Sequence, residues 1–389
     1  MTGTRVPTTI APAGPLLHTY DVNVQTISPI HVGSGATLVR DYDFIINGNE
    51  CSVLDIDKAY SLLFDRLPEA QWEAIANLPI RGVLTAEGSR DDHLLRYRRM
   101  ALGTGSDSEG FEDVRACMRT AFGKAYLPAS SLKGALRTAL AVGYATEMGP
   151  AWMSRQLDQI AQRRPRRELA ARETDKAVFG NTPNEDVLRS VRPADLFVVG
   201  DDPSEAATGL DPCVRLIETR VTKRDGTSTA TIMVEAFAPD TVLSGTLTVE
   251  ADPVAHLDEA HRSEWEGLAQ HDALGAIGFL RDHAAKLIDR EKRHFAGHAM
   301  SAWYVGLERR LGTLPDDTTL MWVGWGSGWA AKTYGELLTA DQAFPAIASN
   351  YRLGNADTFP TTRRLVYAGN RPSQPMGWVQ IRITGIRSR

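Results

Sequence analysis

The sequence predicts an α+β fold, in which strands alternate with long helical segments. Three observations support this class. Residues 18–28 alternate apolar and polar side chains, as the residues of a half-buried strand do. The short apolar run 125–127 ends at a proline and leads into a segment with leucines at helical spacing. Two further alternating runs, 213–223 and 230–239, flank a polar turn and predict a long β-hairpin.

Length and composition divide the chain and limit its function. With 389 residues the chain is too long for one compact core. We expect a flexible leader at 1–18, a first domain at 19–250 and a second, partly helical domain at 251–389. A net charge of −5 argues against holding free nucleic acid by bulk charge, so any RNA contact requires a local basic groove. The absence of a long apolar run predicts a cytoplasmic protein without a membrane span.

The three cysteines, Cys51, Cys117 and Cys213, are far apart and show neither a disulfide framework nor a CxxC metal motif. A reducing compartment is therefore expected. No nucleotide fingerprint is present, because the glycines of the early loop are followed neither by a P-loop lysine nor by a third glycine. The sequence accordingly predicts no cofactor and no metal site.

The N-terminal strand leads into a glycine loop, Val32-Gly33-Ser34-Gly35, where a ligand could approach the backbone closely. A simple turn is the alternative for these residues. A hairpin is expected next, with strands near 43–46 and 51–55. Residues 60–125 are predicted to be mostly helical, with a polar loop at 103–110.

The segment Leu127–Leu140 is the most informative part of the chain. Ser130 or Ser131 is predicted to cap a helix that carries leucines every fourth residue and runs on toward residue 145. Lys133 and Arg137 lie four residues apart on that helix and place two cations near its start. This combination predicts a small anion cradle suited to an RNA phosphate. An ordinary capped helix with solvated basic residues is the alternative.

Two later segments are rich in basic residues. The predicted helical region 151–180 contains an arginine run at 163–167, which is typical of a solvated helix face. The 213–239 hairpin has a polar tip that is predicted to extend beyond the body of the protein. Arg220, Lys223 and Arg224 would contact a polyanion there. A strand at 241–250 and long helices at 254–312 complete this part.

The C-terminal region combines glycine, tryptophan and basic residues. Residues 321–329 form a glycine–tryptophan loop, and the segment 359–364 ends in two arginines. Tryptophan rings can stack on RNA bases, which makes Trp325 a candidate contact. Lys332, Arg363 and Arg364 are the candidate partners for phosphate. Burial in the core is the alternative for each tryptophan.

These motifs resemble those of a known family. The glycine loop followed by the Pro-Ser-Ser-Leu-Lys-Gly turn at 128–134 is similar to the RAMP superfamily of CRISPR RNA-binding proteins. Three C-terminal motifs, at 324–333, 359–364 and 375–379, resemble in their order the family of type III-A capping subunits, the fifth protein of the Csm complex. The resemblance extends over about residues 19–385.

The resemblance implies a RAMP fold built on ferredoxin-like, RRM-type modules with large helical insertions. It implies a non-catalytic subunit that caps the backbone of the complex, holds the 3′ part of the crRNA near the target RNA and contacts the backbone RAMP subunit. A role in crRNA maturation through recruited host nucleases is also implied, and the 213–239 hairpin would be a thumb. Taken together, the residue patterns and the resemblance predict these RNA contacts: Gly33, Ser34, Gly35, Ser130, Ser131, Lys133, Arg137, Arg220, Lys223, Arg224, Trp325, Lys332 and Arg363.

Catalytic alternatives remain open at this point. A target-cleaving RAMP ribonuclease would use an aspartate after the glycine loop, where Asp41 and Asp43 lie. A crRNA-processing nuclease would use His31 as general base. A third alternative is an assembly protein that does not contact RNA.

Overall fold

The computed structural model confirms the predicted α+β class. Two sheets and several helices make up the described part of the chain. The residues that the structure describes are 17–54, 61, 68–69, 73, 96–103, 110–163, 166, 169–202, 210–250, 252, 254–255, 257–268 and 273–386. The leader up to residue 16, the predicted helices between 74 and 95, and most of the 103–110 loop lie outside these residues.

The strands and helices take up most of these residues. In chain order the strands are β1 (Leu17–Thr26), β2 (Gly33–Val39), β3 (Phe44–Asn47), β4 (Glu50–Leu54), β5 (Arg96–Leu102), β6 (Asp113–Cys117), β7 (Tyr126–Leu127), β8 (Val191–Pro193), β9 (Leu196–Val198), β10 (Leu210–Lys223), β11 (Ser228–Phe237), β12 (Val242–Glu250), β13 (Thr318–Trp322), β14 (Thr362–Ala368), β15 (Arg371–Pro375) and β16 (Trp378–Ile386). The helices are α1 (Ala129–Met148), α2 (Pro150–Arg163), α3 (Arg172–Phe179), α4 (Glu259–Leu268), α5 (Ala273–His294), α6 (Met300–Thr313), α7 (Glu336–Thr339) and α8 (Phe344–Asn350). Short 3-10 helices occupy Val187–Ser190 and Ala330–Lys332.

The strands form two sheets. The first has the order β13-β16-β1-β12-β9-β7, with β8 also paired to β12. The second has the order β2-β6-β11-β10-β5-β4-β3, and β14 pairs with both β10 and β15. Strand β1 is predicted from its alternation, and it pairs antiparallel with β12 and β16, which come from the middle and the end of the chain.

One hydrophobic cluster joins the two sheets and α1. It contains Val22 and Val24 from β1, Met100 from β5, and Leu132 and Leu136 from α1. The leucine face predicted for α1 is therefore the face that packs on the sheets. A second cluster lies among α1, α2, α3 and α4, where the rings of Tyr144 and Trp265 have centroids 5.4 Å apart.

The start of α1 differs from its prediction. Pro128 occupies the N-cap position, and neither Ser130 nor Ser131 caps the helix. Instead the backbone N–H of Ala129 donates to the Asp195 carboxylate at 2.7 Å. A carboxylate satisfies a free amide and complements the positive end of the helix dipole. The predicted anion cradle is thus partly occupied by an acidic side chain of the protein itself.

Two parts of the N-terminal half also differ from prediction. The glycine loop is the beginning of β2, a strand at the end of the second sheet, and its pairing to β6 is irregular between Gly33 and Thr37. Residues 96–102 and 113–117, which were predicted to be helical, are strands β5 and β6. Strand β5 pairs with β4 on one side and β10 on the other, so pairing with distant segments outweighs its local pattern.

The predicted hairpin is present as β10 and β11, which pair from Val214↔Phe237 to Thr222↔Ser228. Its expected projection beyond the body is wrong. Strand β14 pairs along β10 as far as Lys223↔Thr362, so the hairpin lies inside the second sheet almost to its tip. None of the helices in the described ranges is long and apolar enough to cross a membrane.

Candidate nucleic-acid interface

The glycine motif and the glycine–tryptophan loop are held together by their backbones. The N–H of Trp325 donates to the carbonyl of His31 at 2.8 Å. Gly324, with φ of +76°, lies so close that a Cβ there would be 2.6 Å from the same carbonyl oxygen. Only glycine fits this position, both for its backbone angle and for the space. Segments almost 300 residues apart in sequence therefore form one surface.

This surface and the first turns of α1 enclose a cavity of about 450 Å³, which we call the central groove. Five of the residues predicted from sequence line it together, and they come from all three motifs. They are Gly33, Ser130, Ser131, Trp325 and Lys332. Ser34 and Gly35 continue from Gly33 along the exposed part of β2, and the space beside Gly35 is open.

Two arginines lie against the ring of Trp325, and Lys332 lies beside Arg364. The guanidinium carbons of Arg115 and Arg364 lie 5.1 and 4.6 Å from the ring centre, and Lys332 lies close enough to Arg364 to feel its charge. No acidic partner is present for any of the three among the described residues. Burial lowers the pKa of Arg364 and of Lys332, and the nearby positive charges lower them further. The Nε of Arg364 is buried without a hydrogen-bond partner.

Arg364 is half-buried and repelled by the neighbouring positive charges, while Arg115 and Lys332 are exposed, so the cluster presents positive charge without a compensating anion. A phosphate would supply the missing negative charge and hydrogen-bond acceptors. The ring of Trp325 therefore supports the arginines through cation–π contacts rather than presenting an open face for base stacking. Two other tryptophans of the C-terminal motifs, Trp322 and Trp378, are stacked in the core with centroids 5.0 Å apart.

Arg115 was missed by the sequence analysis, because its segment was predicted to be helical. It lies on β6 between the buried residues Val114 and Ala116, so the strand alternation directs it to the exposed face. The same alternation separates the two arginines of β14. Arg363 is buried, while Arg364 is half-buried and faces Trp325. In both β6 and β14, the alternation of buried and exposed side chains was the sequence signal that could have identified Arg115 and separated Arg363 from Arg364.

Lys133 and Arg137, the two cations of the predicted anion cradle, do not line the central groove. Both are half-buried. Arg137 donates to Asp186 at 2.7 Å, and its guanidinium carbon lies 3.8 Å from the ring centre of Phe179. Desolvation lowers the pKa of Lys133, while the Asp186 carboxylate raises it. Arg137 is thus part of the packing between α1 and α3, and an RNA contact from Lys133 stays a prediction.

The hairpin residues are found on a different surface. Arg220 is bound within the fold, since it donates to Glu218 at 2.7 Å and stacks 4.4 Å from the ring centre of Tyr367. Lys223 and Arg224 are exposed and line a wide cavity of about 1220 Å³ at the hairpin tip. We call it the hairpin-tip cavity.

Arg363, the last predicted contact, is structural. Its side chain is only 6% exposed, and its Nε donates to the buried Glu291 carboxylate at 2.7 Å. A buried guanidinium that is already paired with a carboxylate is poorly accessible to a phosphate, and its charge is already neutralised. The pair instead joins β14 to α5.

The residues proposed for cleavage have other roles in the structure. The Asp43 carboxylate accepts the Val39 N–H at 2.7 Å and closes the turn before β3. Asp41 occupies the same turn with a φ of +62°. His31 is 1% exposed, and its Nδ1–H donates to the Glu235 carbonyl at 2.7 Å. Burial lowers the pKa of His31. No group of three metal-ligating side chains was found in the described residues.

Comparison with known proteins establishes the class of this chain. It belongs to the RAMP superfamily, whose family model matches residues 23–292. The match covers both sheets in part, the glycine motif and the start of α1, so the predicted superfamily is confirmed.

Within that class the chain is similar to proteins of type III-A CRISPR systems. It is 27% identical over 141 residues to the CRISPR system Cms protein Csm5 of Streptococcus thermophilus. The matched segment covers 31% of this chain and 38% of that relative's length. A chain from the cryo-EM structure of a Csm-crRNA-target RNA ternary complex of a type III-A CRISPR-Cas system matches with a TM-score of 0.73 and 19% identity, covering 94% of this chain and 100% of that one.

The crystal structure of T. onnurineus Csm5 matches with a TM-score of 0.61 and 17% identity, over 92% of this chain and 99% of that one. At these identities the structural matches show a shared fold. They confirm the predicted RAMP fold class over nearly the whole chain.

Proposed function

We propose that this chain is the capping subunit of a type III-A CRISPR (Csm) effector complex and holds the 3′ part of the crRNA in the central groove. The observation that carries the proposal is the cluster of Arg115, Lys332 and Arg364 around Trp325, at the edge of a groove built from all three predicted motifs. The similarity to Csm5 and to a chain of a Csm-crRNA-target RNA complex supports the same role.

The chemistry of the groove fits a single-stranded RNA backbone. Its lining offers serine hydroxyls, glycine backbone and cations, all of which bind phosphate and sugar without reading a base sequence. A guide-holding subunit needs this property, because guides differ in sequence along most of their length. The net charge of −5 is compatible with this function, since the positive charge is concentrated at one place.

The partners follow from the same role. We expect the crRNA to be the direct ligand, with target RNA close by and other Csm subunits, above all the backbone RAMP subunit, as protein neighbours. A part in crRNA maturation and antiviral defence, with recruited host nucleases, stays a prediction. The exposed Lys223 and Arg224 at the hairpin-tip cavity are the candidate second contact with RNA.

We further propose that the chain binds RNA without cleaving it. The side chains considered for cleavage are engaged elsewhere, with Asp43 bound to the Val39 amide and His31 buried against Glu235. A RAMP ribonuclease is the alternative function. Cleavage of target or repeat RNA by the wild-type chain, abolished by Asp43→Asn or His31→Ala, would support that alternative.

The proposal is tested by measuring RNA affinity against salt. The purified full chain is titrated with a labelled single-stranded RNA, and fluorescence anisotropy gives the dissociation constant at several salt concentrations. The triple variant Arg115→Gln, Lys332→Gln, Arg364→Gln should lose affinity by about tenfold or more. The slope of log affinity against log salt should shrink by about 2, at about 0.7 per lost phosphate contact.

A matched triple variant controls for the change in net charge. Arg155, Arg309 and Arg382 are exposed and lie outside the central groove, so replacing all three by glutamine removes the same charge. This control should keep the wild-type salt slope. Equal losses in both triple variants would show that the groove has no special part in binding RNA.

A further inference from the structure

A second cavity lies next to the central groove, among the helices. It has a volume of about 400 Å³ and is walled by α1, α2, α3 and α8. We call it the helical cavity. Thr138 and Lys332 line both this cavity and the central groove, so a ligand in the groove is next to the cavity. Its volume is within the range of sites that hold small organic groups.

The lining of the helical cavity is mainly apolar and unusually aromatic. The aromatic residues that line it are Phe179, Trp329, Tyr334, Phe344 and Tyr351. The rings of Trp329 and Phe344 have centroids 6.1 Å apart and are inclined at 48° to each other. Aromatic walls of this kind favour a flat, ring-shaped guest.

Two neighbouring polar groups, Asp175 and Tyr334, face this apolar space. The hydroxyl of Tyr334 is buried and interacts with the Asp175 carboxyl, although the two do not reach full hydrogen-bond geometry. Asp175 is half-buried beside it, and burial raises the pKa of this carboxyl. A carboxylate can accept several hydrogen bonds and Tyr334 supplies at most one, so Asp175 can accept further donors from a guest.

We propose that the helical cavity takes one unstacked base of the RNA in the central groove, and that Asp175 and Tyr334 bind the edge of that base. The proposal rests on the RNA-binding function inferred above, and it adds a base-contacting site to the backbone contacts. The shared wall at Thr138 and Lys332 is the reason to choose an RNA base as the guest. Single-stranded RNA is commonly bound with bases splayed into aromatic pockets.

The carboxylate also predicts which bases fit. An ionised aspartate accepts hydrogen bonds but cannot donate them. It suits the exocyclic amine of cytosine, adenine or guanine. Uracil carries a carbonyl oxygen at C4, where cytosine has its amine, and the aspartate repels that oxygen. A site that binds the C4 amine of cytosine discriminates against uracil, because the carbonyl oxygen that uracil has at C4 cannot donate a hydrogen bond.

The test compares oligocytidine and oligouridine of equal length, whose bases differ on this edge at two positions: the C4 amine and acceptor N3 of cytosine are a carbonyl and an N–H in uracil. The wild-type full chain should bind oligocytidine about tenfold more tightly, the value of one charge-assisted hydrogen bond. Asp175→Asn should bring the two affinities within about twofold of each other, because an amide can donate to uracil as well as accept. Tyr334→Phe, which keeps the ring, should lower the preference and provides a second variant if Asp175→Asn does not fold.

The outcomes separate this proposal from the function on which it rests. If both RNAs bind equally well to the wild type and to Asp175→Asn, the helical cavity holds no base, although the central groove still binds RNA. If neither RNA binds to the wild type, the RNA-binding function itself is wrong. Binding of free cytidine monophosphate at micromolar concentration without RNA would assign the cavity to a free nucleotide and would overturn the proposal.

Discussion

Arg363 and Arg364 are neighbours on β14 with opposite environments. Arg363 points inward to the buried Glu291, and Arg364 points toward Trp325 and the central groove. The strand period of two directs consecutive side chains to opposite faces. One arginine therefore stabilises the fold and the other is available to an anion.

Replacing Arg363 should affect stability far more than RNA binding. Arg363→Gln leaves the Glu291 carboxylate buried without its counter-charge, and breaking such a pair costs about 3–5 kcal/mol. Chemical denaturation of the purified variant should show a loss of that size. Arg364→Gln, the neighbouring control, should unfold close to the wild type and bind RNA more weakly. The reverse pattern would mean that the two arginines have been assigned the wrong roles.

Arg137 gives a second prediction at the scale of a residue. Arg137→Ala removes the contact with Asp186 and the stacking on Phe179, and it should lower the free energy of unfolding by about 1–2 kcal/mol. The exposed Arg382, paired with Asp317, is the matched control, and Arg382→Ala should change the stability by less than about 1 kcal/mol. A stable Arg137→Ala variant with much weaker RNA binding would instead favour a direct contact with phosphate.

Among the helices and strands, the local sequence pattern predicts those features that interactions between neighbouring residues determine. The alternation of β1, the hairpin of β10 and β11, and the leucine face of α1 are all visible in the sequence, and the structure contains them. The cap of α1 was not predictable, because it comes from Asp195, 66 residues further along the chain. Strands β5 and β6 were missed for the same reason, since their partners are distant segments.

The candidate site follows the same division. The glycine motif, the serines of α1 and the glycine–tryptophan loop were each identified from sequence, and the structure brings them together in the central groove. Arg115 was missed because its strand was missed. Arg220 and Arg363 were expected to contact RNA, yet buried or half-buried acidic partners bind them, and such partners cannot be recognised from spacing alone.

For the molecule as a whole, His283, whose Nδ1 is buried without a hydrogen-bond partner, should make the fold sensitive to acid. Burial, helped by Lys286, lowers the pKa of His283 to about 4 from an ordinary value of 6.5. Above pH 6.5 the imidazole is neutral in both states and has no effect. Below it, the unfolded chain binds a proton that the folded chain does not, so stability falls by about 1.4 kcal/mol per pH unit down to about pH 4.

The measurement is the free energy of unfolding of wild type and His283→Gln at pH 7, 6, 5 and 4. Because carboxylates also contribute, the difference between the two proteins is the quantity of interest. The variant should lose less stability than the wild type over this range, by at most about 3 kcal/mol. Parallel curves would show that His283 is protonated as readily in the folded protein as in the unfolded one.

Purification from its native host would show whether this chain holds guide RNA as a Csm subunit. The tagged chain is isolated, its protein partners are identified, and the bound nucleic acid is extracted, sized and sequenced. We predict other Csm subunits together with short CRISPR-derived RNAs that share a 5′ repeat tag. A chain that is recovered alone and free of RNA, and that cuts repeat RNA in the absence of divalent ions, would be a ribonuclease and not a guide-holding subunit.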